Sequence, residues 1–217
     1  MYSTMASNLV WATLETLYMV LVSTSFASLL GLPLGTFLFV HEKIKPNPTL
    51  ARVCATLINV TRSIPFIILL VALIPLTRLV VGTSIGLHAA IVPLTLGATP
   101  FFARLVENIY QRLPAGLLET GHAMGASTWQ MIRFILLPEA LPGLIHALTI
   151  TAITLVNYSA MAGTVGGGGL GDLAIRYGYQ RFDVSVMIAT VVILVIMVQL
   201  FQMLGDHLAQ HFSRGDH

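Results

Sequence analysis

Three groups of residues in this 217-residue chain have types and spacings that suggest chemistry. Gly166, Gly168 and Gly171 fit G-x-G-x-x-G, in which a tight turn brings backbone amides against a dinucleotide pyrophosphate. His41 and Glu42 open H-E-x-x-H, the pattern that sets two imidazoles on one helix face around zinc. Lys43 and Lys45 are the chain's lysines, and a phosphate-binding loop needs a lysine within G-K-[ST]. Each pattern fails in context. Gly166 to Gly169 is an unbroken glycine run that many patterns would match, and no strand precedes it. It reads better as a turn where backbone packs closely on backbone. Position 45 is Lys where zinc would need His, and the lysines follow Glu42 and Ile44 rather than glycine. No G-x-S-x-G surrounds Ser159, and the single cysteine, Cys54, excludes an intrachain disulfide or a multi-cysteine metal site. The chain is expected to bind no metal and no cofactor, and to be no enzyme by itself. If ATP drives its work, a separate subunit must hold the nucleotide.

The elements that would position such residues follow from the solvent. Hydrophobic residues make up 56% of the chain and charged residues 9%, against roughly a quarter charged in a soluble domain. The apolar residues fall in long blocks, which makes lipid the solvent. Within hydrocarbon every backbone polar group must be paired internally, leaving helices or closed barrels, and these blocks are far longer than barrel strands. The expected fold is an all-α polytopic membrane protein with five transmembrane helices over about residues 16–40, 53–77, 87–108, 140–162 and 184–205, in a domain of residues 12–206. Pro65 in the second span, and Pro93 and Pro100 in the third, are expected to kink these helices without ending them.

The net charge of +2, from dispersed basic residues, implies no nucleic-acid partner. Residues 1–15 hold no Lys or Arg, whereas the first loop holds Lys43, Lys45 and Arg52. Positive loops stay cytoplasmic, so the N-terminus is expected outside and, after five spans, the C-terminus inside. The leader lacks the basic n-region of a cleavable signal peptide. Residues 110–138, between the third and fourth spans, read as a cytoplasmic hairpin of two short helices. Pro114 suits a first helical position, and Gly125 suits the left-handed residue past a helix end. Ser127 and Gln130 have capping-box spacing, and Pro138 is expected to stop the second helix.

Glu119-Thr120-Gly121, then Gly125, Ile135 and Leu137-Pro138, resemble the "EAA" loop of bacterial ABC-importer permeases, with Thr120 and Gly121 where that family usually has alanines. Arg62 to Leu70, Val81 to Gly86, Pro138 to Gly143 and Tyr158 to Met161 resemble, more narrowly, the methionine-importer permeases, over essentially the whole chain. The resemblance implies a type I importer fold with a cytoplasmic coupling-helix hairpin in a bacterial inner membrane. Implied partners are a second copy of this chain, two ATPase subunits that use ATP and Mg, an extracytoplasmic methionine-binding lipoprotein and membrane lipid. It also implies that Glu119, Thr120, Gly121 and Gly125 meet the ATPase, with Leu117, Leu118 and Met124 as apolar contacts.

A translocation path for methionine, L- and possibly D-, is expected along the two-fold axis of the pair. Asn157, Tyr158, Ser159 and Met161 combine polar groups and a thioether in an otherwise apolar helix, and helix packing is the competing role for them. Arg62, charged within a span, is either a functional group or a side chain reaching the inner interface. The same machinery carrying another amino acid or small organic solute stays open, as do a passive channel and a membrane scaffold.

Overall fold

The structure, a computed structural model, describes residues 2–213, which are helical without strands. Four helices are long and apolar enough to cross a membrane. They are α1 (Tyr2–Phe39), α5 (Leu87–Gln111), α8 (Leu137–Gly163) and α10 (Val184–Ser213). Shorter helices fill the connections: α2 (Pro48–Ser63), α3 (Phe66–Ala72), α4 (Ile74–Val81), α6 (Ala115–Ala123), α7 (Thr128–Met131) and α9 (Gly169–Leu173). The pair α2–α3 counts as a fifth crossing when taken as one broken span. Several helices overrun the apolar stretches that announced them. Gly205, expected at the end of the last span, lies inside α10 and packs on Thr149 of α8.

Two proline expectations are corrected. Pro65 does not kink its span; it ends α2, and α3 leaves at 101°. Ile64 is driven out of helical space, to φ −80° and ψ 124°, because the following proline ring crowds it. The Pro65 carbonyl then accepts the amides of Ile68 and Leu69 at 2.9 and 3.0 Å and starts α3. Pro93 and Pro100, in contrast, sit buried inside α5, which continues through both. Pro138 does not stop its helix either. A π-turn over Ile132–Leu136 joins α7 to α8, with Leu137 N donating to Ile132 O, five residues back. That shift in the ladder comes just ahead of Pro138, so the widened turn takes up the ring and the missing N–H and the helix runs on.

Small residues set how closely the spans approach. Gly31 and Gly35 lie one turn apart on α1 against α5, and a Cβ on Gly31 would sit 2.9 Å from Thr99 O. A Cβ on Gly35 would drive into the Ala103 carbonyl. This is the small-xxx-small contact by which membrane helices bring their backbones together. The buried residues gather in three clusters, and the one toward the N-terminal half of α1 holds the fully buried Met19, Val20, Leu94, Leu155 and Leu170.

The glycine run is a close-packing turn. A Cβ on Gly163 or Gly171 would collide with the backbone of the other strand of the turn, at Asp172 and Ala160 respectively. Gly166 O accepts the Gly86 amide at 2.9 Å, and Glu15 Oε2 accepts the Gly169 amide at 2.8 Å. Three segments distant in sequence are thereby tied at one end of the bundle. The basic loop and the residue 112–137 hairpin lie at the other.

Candidate functional site

The hairpin is built from local signals that agree. Pro114 precedes α6, one place before its expected position, and α6 ends in a Schellman motif. Ala126 N donates to Gly121 O and Gly125 N to His122 O, both at 3.0 Å, with Gly125 at φ +71°. That left-handed φ is what glycine permits and other residues resist. Ser127 then caps α7 reciprocally: its Oγ accepts the Gln130 amide at 3.4 Å, and Gln130 Oε1 accepts the Ser127 amide at 2.8 Å.

The two faces of α6 differ sharply. Leu118 packs inward on the cluster of Phe39, Tyr110 and Leu136, and Leu117 is half-buried. Gly121 is buried against Met131 and Ile135. Gly116, Glu119, Thr120 and Ala123 are exposed at i, i+3, i+4 and i+7, followed by exposed Met124. The outward face therefore presents one carboxylate among small residues, with a thioether at its end. Such a ridge, with His122 exposed at its flank and Met124 at its end, can enter a groove on a partner.

The second region lies where α2 breaks. A cavity of about 210 Å3 is lined by Thr61, Arg62, Phe66, Gly97, Phe101 and Tyr158 among others. Phe66 and Tyr158 stack face to face, centroids 4.3 Å apart and planes 4° from parallel. Arg62 is exposed, with no acidic partner among the described residues. Asn157 and Met161 are exposed one turn apart on α8. Ser159 points the other way: it is 2% exposed, and its hydroxyl donates to Val156 O at 2.7 Å.

Residues 27–215 match the family described as binding-protein-dependent transport system inner membrane component. The chain belongs to this family. This permease is 52% identical over 211 residues to the probable D-methionine transport system permease protein of Vibrio cholerae, covering 96% of this chain and 92% of that one. Over 151 residues it is 58% identical to the D-methionine transport system permease protein of Escherichia coli K12, covering 69% and 70%. Its structure superposes with a TM-score of 0.96 on a chain of the MetNI methionine ABC transporter in an inward-facing conformation, at 52% identity over 98% of this chain and 99% of that one. The all-α importer-permease fold expected from the sequence is the fold observed.

For the permease, the geometry sorts the expected residues. Glu119, Thr120 and Met124 share the outward face of the hairpin, while Gly121 and Leu118 support it from behind and Gly125 sets its end. Arg62 and Tyr158 line one cavity, Asn157 and Met161 one exposed stripe, and Ser159 neither. Gly116 and Ala123 complete the outward face and were missed in the sequence, although helical spacing from Glu119 points to both.

Proposed function

We propose that this permease imports methionine into a bacterial cytoplasm as the membrane-spanning half of an ATP-driven transporter, two copies forming the path. ATP and Mg are handled by a separate ATPase, because the chain lacks a phosphate-binding lysine motif. The single observation that carries the proposal is the outward face of α6, a preorganised small-residue ridge with Glu119 at its centre. Its N-terminus lies outside and an extracytoplasmic binding protein delivers the solute. The high identity to D-methionine permeases supports the substrate.

The path follows from the same chemistry. Methionine is a zwitterion with an apolar thioether tail, so it needs a few placed polar groups in an apolar conduit. Arg62 can take the carboxylate, while the Phe66–Tyr158 pair offers aromatic surface that attracts a thioether. Asn157 and Met161 continue that mixture on the exposed stripe of α8. Movement of the ATPase subunits would reach these groups through α6, α7 and the unbroken run into α8.

The test is uptake of labelled methionine into proteoliposomes holding the permease, its ATPase and its binding protein. ATP-dependent accumulation, competed by unlabelled methionine, is expected. Competition by another amino acid alone would assign a different solute, and accumulation without ATP would leave a passive channel.

A further inference from the structure

A cavity of about 460 Å3, which the transport path does not use, lies between the ends of α1, α2 and α5 beside the basic first loop. Much of its wall is apolar, formed by Leu38, Ala51 and Ala55. Its charged groups carry both signs, Arg52 and Arg104 beside Glu42 and Glu107. Glu107 is 4% exposed, and Arg104 holds one of its oxygens, Oε2, at 2.5 Å while donating to Asn59 Oδ1 at 2.7 Å. The other carboxylate oxygen has no donor among the described residues. Glu42, exposed at the cavity's rim, is already paired: Lys43 Nζ lies 3.5 Å from its Oε1, and Gln111 Nε2 donates to its Oε2 at 3.1 Å.

The second oxygen of the buried Glu107 carboxylate therefore calls for a donor, and a primary ammonium brings three. The cavity also sits where the apolar run of α1 gives way to Lys43 and Lys45, at the depth of lipid headgroups. We propose that it binds an inner-leaflet phospholipid whose zwitterionic headgroup carries a primary ammonium. The ammonium meets Glu107, the phosphate meets Arg52, and the start of the acyl region covers Ala51 and Ala55. A choline headgroup has no N–H to donate, and an anionic headgroup would answer Arg52 but bring no ammonium to the free Glu107 oxygen. A free amino acid shares the headgroup chemistry but leaves the apolar wall bare.

The experiment uses the full-length chain purified in its native assembly and exchanged into nanodiscs of phosphatidylethanolamine, phosphatidylcholine or phosphatidylglycerol. Lipid retained after gentle extraction is counted by native mass spectrometry. Retention of phosphatidylethanolamine roughly tenfold above the other two is expected, the ratio that about 1.4 kcal/mol of selectivity gives. Glu107→Gln and the cavity-filling Ala55→Trp should each abolish that preference. Equal retention of the three lipids by the unaltered chain would overturn the proposal, whatever the variants do. So would displacement of the lipid by free methionine, which would give the cavity to an amino acid, or an undiminished preference in both folded variants.

Discussion

Gly121 of α6 lies so close to Ile135 that a Cβ added to it would stand 2.8 Å from Ile135 Cδ1. The glycine and isoleucine of the loop pattern are thus two sides of one contact, which fixes the angle at which the outward face is offered. The obstructing atom is the far end of a mobile side chain, so alanine can be accommodated. Gly121→Ala should be near neutral in thermal stability, because about 1 kcal/mol of helix propensity offsets the shift of Ile135. Gly121→Leu should overpack the hairpin by about 1–3 kcal/mol and reduce ATPase co-purification. Melting of the purified complexes compares the two.

At Gly125 a different physics operates. No atom lies within 4 Å of where its Cβ would be, so any penalty comes from the backbone at φ +71°. Gly125→Val should cost at least about 1–2 kcal/mol and impair uptake even where the complex assembles, whereas Gly125→Asn should retain most uptake. Equal transport rates in the two variants would remove the left-handed turn from the account.

On the proposed path, Asn157→Trp and Met161→Trp are expected to slow methionine uptake while leaving assembly intact, since both side chains are exposed on the bundle. Arg62→Gln should lower uptake more than it changes stability, because Arg62 has no acidic partner to orphan. A side chain that only reaches for the interface would leave uptake kinetics unchanged.

Reporter fusions within Lys43–Asn47 and after Ser213 should both report cytoplasm, and a fusion ahead of α1 the opposite side. A fusion after the C-terminal residue, 217, which lies outside the described residues, should report the same side as one after Ser213. Disagreement between the first two fusions would mean that α2–α3 does not make one crossing.

What the sequence disclosed about the fold was mostly local. The Ser127–Gln130 box and the Gly125 turn depend on neighbours a few residues away, so their spacing sufficed. The fates of Pro65 and Pro138 depend on what surrounds each proline: Pro65 has no flanking turn to absorb it, while a π-turn accommodates Pro138. Gly31 and Gly35 announced helix contact by their spacing, yet glycine scarcely alters the hydropathy of an apolar run and the pair was passed over. In the candidate site, Glu119 was legible through the loop pattern. That Leu118 turns inward, or that Ser159 bonds its own helix, became visible once the core was assembled.

The most direct test of the central claim, that the exposed face of α6 engages the ATPase and transmits its movement, pairs Glu119→Ala with Ala123→Trp. Both residues are exposed, so neither variant should lower the stability of the isolated permease. Glu119→Ala removes the ridge's charge, and Ala123→Trp adds bulk that would hold it out of a groove. The measurement is ATPase co-purification together with ATP-driven methionine uptake in proteoliposomes. The account predicts that both variants lose most of the captured ATPase, and uptake with it, by tenfold or more on the order of a 1.4 kcal/mol loss. Full capture and full uptake in both would contradict it.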